Sequence, residues 1–187
     1  MPPKTTSRWI WQPNPYDKAW AEVRTTSGLD DEERNAIFFG TPVAEPLPKA
    51  RIDEVTPGEH PDLLLHPSYR IASERLVRLL VDTGARIQLL PVVFPARLKH
   101  SRVTYQVVNL LERVDAFDEA ASKVTRWPDG SLRAVKRFAL RAIATPRLFR
   151  LSVLPSVWIL DDELRRAIEE TCTGAGRFIP PEKFTFG

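Results

Sequence analysis

The sequence predicts an α+β fold: a mixed, largely antiparallel sheet with a few short capped helices. Three observations lead there. Apolar runs such as residues 87–94 and 148–154 have strand length and strand patterning. Two segments, beginning at Ser73 and Asp161, place a good N-cap ahead of apolar residues at helical spacing. Prolines number 17 and glycines 8. Proline interrupts helix and sheet interiors, so short elements with stiff connections are expected.

In chain order, a short strand is expected over residues 8–12. Residues 29–36 read as a short helix. Its acids Asp31, Glu32 and Glu33 sit in the first turn, where the helix dipole favours them. Residues 41–67 carry Pro42, Pro46, Pro48, Pro57, Pro61 and Pro67 and read as irregular connection. From the Ser73 cap, Leu76, Leu79 and Leu80 share one helical face, and Gly84 stops the helix. Residues 87–94 form a buried-looking strand. After a loop over 95–102, Val103, Tyr105 and Val107 alternate with Thr104 and Gln106 in a second strand.

Further strands are expected over 113–117, 134–139 and 148–154. The last alternates Phe149, Leu151 and Val153 with Arg150 and Ser152. Trp127-Pro-Asp-Gly-Ser131 is a turn, because Asp-Gly readily supplies positive φ. Residues 157–160 run into Asp161, a second cap, followed by Leu164, Ala167, Ile168 and Cys172 on one face. Gly174 ends that helix, and residues 177–180 form the next strand. Ile71-Ala-Ser73-Glu-Arg-Leu76 thus parallels Ile159-Leu-Asp161-Asp-Glu-Leu164. Each unit runs strand end, cap, helix, glycine, strand, proline. This is a candidate helix–strand pseudo-repeat.

The chain's 187 residues fit one domain, with a Trp-rich N-terminal segment over 1–37 and a core over 38–187. Net charge is +3, from 27 bases and 24 acids, so the excess is small for a dedicated nucleic-acid binder. The single cysteine, Cys172, can form neither an internal disulfide nor a Cys-rich zinc site. The polar start has no apolar run of signal-peptide or membrane-span length, so a cytoplasmic protein without membrane association is expected.

No catalytic constellation is readable. The fingerprints GxSxG, GxGxxG and GxxxxGK[ST] are absent. His60, His66 and His100 match no helical metal-ligand spacing. Asp115, Asp118 and Glu119 cluster as an acid–base pair could, but a strand end followed by a capped turn has the same composition. No catalytic residue, metal ligand or cofactor is therefore assigned. Two features suit contact with a partner. One is the loop carrying Arg97, Lys99, His100 and Arg102, set between two strong strands. The other is the pair Trp9 and Trp11, for which packing onto the domain is the competing reading.

One set of motifs resembles a known family. It comprises Asp62-Leu-Leu-Leu, then Ile71 to Leu80 with Gly84 and Leu90-Pro91-Val92, then Tyr105, Asn109-Leu110-Leu111 and Val114-Asp115-Ala116-Phe117-Asp118. Leu148-Phe149-Arg150-Leu151, the Ile159–Leu164 run and Gly176-Arg-Phe178-Ile-Pro180 complete it. The chain is similar here to the immunity-protein-eleven family, a former domain of unknown function found beside bacterial polymorphic toxins, notably in myxobacteria. The resemblance spans roughly residues 38–180 and leaves 1–37 outside. It implies a non-enzymatic cytoplasmic antidote that binds a cognate toxin and needs no cofactor. The alternatives that the residues themselves leave open are a nucleic-acid-binding module and an enzyme using acids near Asp115 and Asp118.

Overall fold

A computed structural model describes residues 7–13, 21–55, 60–96, 102–143 and 146–186. The strands are β1 (Arg8–Gln12), β2 (Val23–Ser27), β3 (Ala50–Val55), β4 (Leu63–Leu65), β5 (Arg70–Ser73), β6 (Ile87–Val93) and β7 (Tyr105–Leu110). They continue with β8 (Arg113–Val114), β9 (Lys123–Arg126), β10 (Leu132–Arg137), β11 (Leu148–Leu151), β12 (Trp158–Asp161) and β13 (Arg177–Ile179). The helices are α1 (Asp31–Phe39), α2 (Glu74–Val81) and α3 (Asp162–Thr171). The fold is α+β, with mixed and mostly antiparallel sheets. One sheet has the order β2-β3-β6-β7-β5-β4, a second β13-β1-β12-β11-β8, and β9 pairs with β10 in a separate ribbon.

Each helix starts where a side-chain oxygen can satisfy its free N–H groups. Asp30 accepts from the Glu33 N–H at 2.8 Å while Glu33 accepts from the Asp30 N–H at 2.8 Å, a reciprocal capping box. Ser73 accepts from Leu76 N at 3.3 Å, and Asp161 from Leu164 N at 2.8 Å. α2 and α3 each end three residues ahead of their glycines, Gly84 and Gly174.

The two cap-helix units occupy equivalent places in a structural repeat. β5-α2-β6 and β12-α3-β13 are both split crossovers. In each, the strand before the helix and the strand after it flank one antiparallel middle strand, β7 or β1. The rungs correspond one by one. Leu63↔Ala72, Leu64↔Ile71 and Leu65↔Arg70 in one unit match Leu148↔Leu160, Phe149↔Ile159 and Arg150↔Trp158 in the other. Across the middle strands, Gln88↔Asn109 matches Arg177↔Gln12. Both of those rungs carry a side-chain hydrogen bond, at 3.3 and 3.1 Å. The connectivity differs. β7 follows β6 directly, whereas β1 comes from the start of the chain and inserts between strands near its end.

Burial follows from this arrangement. α2 and α3 contribute Leu76, Leu80, Leu164 and Ile168 to one core shared by both sheets, together with Trp11, Ala72, Val108, Leu148 and Trp158. A second core packs Ile37 of α1 against Ile52, Ile71, Leu90 and Val107. A third joins Ile10, Phe149 and Ile159 to Val135, Phe138 and Phe184. The main strands are thus covered on both faces.

Four sequence expectations change here. Residues 41–67 hold two strands, β3 and β4, because the prolines fall outside those runs and delimit them. β9 was not anticipated: Lys-Val-Thr-Arg has one strong strand former, and pairing with β10 makes it a strand. The expected strand over 113–117 is two residues long and continues only as a bridge from Phe117 to Leu140. The expected strand over 148–154 stops at Leu151, and Arg150, read as the polar face of an alternating strand, is buried.

Candidate partner-binding surface

Of the cationic loop between β6 and β7, Arg97, Lys99 and His100 lie outside the described residues. Arg102 is exposed and borders a shallow cleft with Asp62, Glu74 and Arg75. Trp11 is corrected as a contact residue: only 1% exposed, it belongs to the core. Its ring meets Trp158 edge-on at 5.7 Å and its Nε1 donates to the Ala175 carbonyl at 2.6 Å. It is buried because its face of β1 packs into the core that both sheets share, with Leu76 and Leu80 of α2 and Leu164 and Ile168 of α3. Trp9 is half-buried and engaged within the chain. Its Nε1 donates to Asp162 at 3.0 Å, and the Arg165 guanidinium lies 4.5 Å from its ring centre.

The acids near residue 115 do not converge. Asp115 pairs with Arg141 at 3.2 Å, Asp118 accepts from the Ala121 N–H at 3.0 Å, and Glu119 pairs with Arg126 at 2.7 Å. Cys172 packs partly against the shared core, and burial pushes its thiol up to about 12, with Asp62 adding to the shift. It is a thiol, not a thiolate, near neutral pH. Among the described residues no group of three His, Cys, Asp or Glu side chains is placed to hold a metal ion.

The β9–β10 ribbon is the feature that the sequence showed only as a turn and a basic strand. Its turn is closed by Trp127 N–H to the Ser131 carbonyl at 2.9 Å and Gly130 N–H to the Trp127 carbonyl at 3.0 Å. Asp129 accepts from the Ser131 N–H at 2.9 Å and hydroxyl at 2.6 Å, which holds its carboxyl below the usual range. The base of the ribbon is anchored: Val135 is buried, Val124 and Leu132 pack on the third core, and Phe186 bridges Val135 from the other edge. The tip is closed by its own hydrogen bonds and open to solvent.

On that tip Trp127 is 50% exposed. The Arg133 guanidinium sits 4.7 Å from its ring centre, a contact that holds both side chains at the surface. Residues 123–137 carry five cations (Lys123, Arg126, Arg133, Lys136 and Arg137) against the single carboxylate of Asp129. Arg126 is committed to Glu119, and Arg137 donates to the Ala121 carbonyl at 2.7 Å. Lys123, Arg133 and Lys136 have no carboxylate partner among the described residues. Lys123 stands directly opposite Arg137, so like charges face each other across the ribbon. Such a surface gains when an anionic one covers it.

No model of a known protein family matches the chain, and comparison with characterised proteins finds no match. Among the described residues, no helix is long and apolar enough to cross a membrane.

Proposed function

We propose that this chain is a non-enzymatic immunity protein that acts in the cytoplasm, binding a cognate bacterial toxin and neutralising it by protein–protein contact. The resemblance of residues 38–180 supplies the class. The observation that carries the contact is Trp127, exposed beneath Arg133 at the tip of an anchored cationic ribbon. Tryptophan and arginine are the residue types most often dominant in interface energetics. A standard interface buries about 1,200–2,000 Å² in total, far more than one tip, so neighbouring surface must join it. Lys123, Arg133 and Lys136, without a carboxylate partner among the described residues, select an acidic face on the partner and speed encounter with it.

The test is co-expression with the protein encoded beside this chain, assayed for toxicity alone and with this chain, followed by co-purification. Protection and a stable complex are expected. Trp127→Ala combined with Lys136→Glu should weaken the complex at least tenfold with the fold intact. Persistent toxicity and no complex would sink the reading. Steeply salt-dependent binding to an oligonucleotide, with no toxin complex, would replace it with the nucleic-acid alternative.

A further inference from the structure

The hairpin turns joining β4 to β5 and β11 to β12 occupy equivalent places in the repeat. They face each other across a cavity of about 170 Å³. Two arginines line it, Arg70 from the first hairpin and Arg150 from the second, and among the described residues no carboxylate does. We propose that this cavity is a binding site for a small carboxylate, held by Arg70 and Arg150, whose guanidiniums rest against Trp158.

The first argument is unmet charge. Arg150 is 2% exposed, and neither arginine has a carboxylate partner among the described residues. What holds them is neutral. Arg150 Nη1 donates to the carbonyls of Ile37 at 3.1 Å and Phe38 at 2.6 Å, at the C-terminal end of α1. Arg70 Nη2 donates to the Trp11 carbonyl at 3.1 Å. Their guanidinium carbons lie 4.1 Å (Arg70) and 5.3 Å (Arg150) from the Trp158 ring centre. The Nε of each is buried without a hydrogen-bond partner. Arginine carries five donors in a planar fork suited to carboxylates, and here that capacity is left over. Burial, together with Arg150, lowers Arg70 to about 9; burial, together with Arg113, lowers Arg150 to about 10. Both stay protonated at neutral pH, so the cavity holds two like charges.

The second argument comes from the repeat. The rung equivalent of Arg70 is Trp158, and that of Arg150 is Leu65. An apolar residue, the buried Trp158, therefore satisfies the position equivalent to Arg70, and the architecture does not call for an arginine there. The third is size and lining. Ligand pockets for drug-sized molecules run to about 300–1,000 Å³, so this one takes a smaller group. Ile37, Leu63 and Val108 on its walls suit the carbon body of a carboxylic acid better than a fully hydrated phosphate.

The carboxylate could arrive on a free small molecule or on an acidic side chain of a partner. The intact chain would be titrated with acetate, benzoate and N-acetylglutamate N-methylamide. Tryptophan fluorescence and melting temperature would be followed at constant ionic strength, with chloride as the reference. A saturable fluorescence change and a raised melting temperature are expected, weakened at least tenfold in Arg70→Met and unchanged in Trp127→Ala. Saturation by acetate or benzoate identifies a free ligand; saturation by the capped glutamate alone identifies a side chain. If no carboxylate exceeds chloride, or Arg70→Met responds like the parent, the proposal is overturned. Should Arg70→Met fail to fold, Arg70→Lys keeps the charge, removes the fork and is judged by the same criterion. Arg70, Arg150 and Trp158 lie outside the ribbon, so this site and the toxin-binding reading fail separately.

Discussion

Asp62 and Thr173, on the two halves of the repeat, exchange a pair of hydrogen bonds. The Asp62 N–H donates to the Thr173 carbonyl at 2.7 Å, and the Thr173 N–H donates to Asp62 Oδ2 at 2.7 Å. The same carboxylate accepts from the Ser73 hydroxyl and from Arg75 Nη2, the latter at 2.6 Å. One buried side chain thus ties the start of α2 to the segment after α3. Asp62→Ala leaves Ser73 and the Thr173 N–H without their acceptor and should cost about 3 kcal/mol. Arg75 is more than half exposed, so Arg75→Ala should cost about 1 kcal/mol or less. Urea midpoints would check this; equal losses would show that the carboxylate is not the node.

His66 supplies a pH dependence. Its ring stacks on Tyr69 at 3.8 Å, and its Nδ1 accepts from the Ser68 N–H at 3.2 Å. Burial first, and then Arg34 on α1, lowers its pKa to about 4. The unfolded chain, with an ordinary value of about 6.5, binds the proton more readily. The His66 contribution is therefore full above about pH 6.5, declines as pH falls toward 4, and is gone below that. His66→Phe should lose less stability than the parent between pH 7.5 and 4.5 in chemical denaturation. Parallel losses would assign the acid sensitivity elsewhere.

Gly40 closes α1 at φ +69°, and a Cβ placed there would stand 2.6 Å from Arg150 Nε and 2.7 Å from the Leu110 carbonyl oxygen. Gly40→Ala meets both the left-handed penalty and a backbone clash, and about 2–4 kcal/mol of destabilisation is expected. Gly84 shares the positive φ, at +74°, but a Cβ there meets nothing within 4 Å. Gly84→Ala should cost only about 1 kcal/mol. Thermal melts of the two variants give the comparison; similar shifts would mean that the approach of Arg150 does not matter.

The repeat predicts a tolerated rearrangement of the chain. Ile179 of β13 pairs beside Ile10 of β1, as Leu90 of β6 pairs beside Val107 of β7, but no direct connection joins the first pair. Joining residue 187 to residue 1 through a short flexible linker and opening the chain between Pro13 and Ala21 should preserve cooperative unfolding. Deleting residues 1–13 should abolish it, because β1 is the middle strand of its split crossover. Circular dichroism and calorimetry distinguish the cases, and a folded deletion product would contradict the assigned role of β1.

Much of the local chemistry was legible in the sequence. Ser73 and Asp161 announce helix starts because a short oxygen-bearing side chain precedes apolar residues at helical spacing, and the acids Asp31, Glu32 and Glu33 announce the first turn of α1. The strand over residues 8–12 was equally readable. The burial of Trp11 was not, since the strands that cover it, β12 and β13, lie about 150 residues further on. Arg150 was misread for a similar reason. Alternation assigns a polar residue to solvent, but the carbonyls of Ile37 and Phe38 close over this one from a distant helix. In the ribbon, the turn and the cations were visible. The stack of Arg133 on Trp127 was not, because it joins residues on opposite sides of a turn whose register, shifted between Leu132 and Ala134, sequence patterning does not reveal.

The place of β1 in its sheet also bears on how the protein is made. A ribosome emits β1 long before its partners β12 and β13, so Trp9, Ile10 and Trp11 stay uncovered while the segment between them is made. The β4-to-β7 unit, with all its strands contiguous, can fold while translation proceeds; the other unit must wait for β12 and β13. The growing chain therefore carries an exposed aromatic strand until they emerge, the interval in which a chaperone would be most needed.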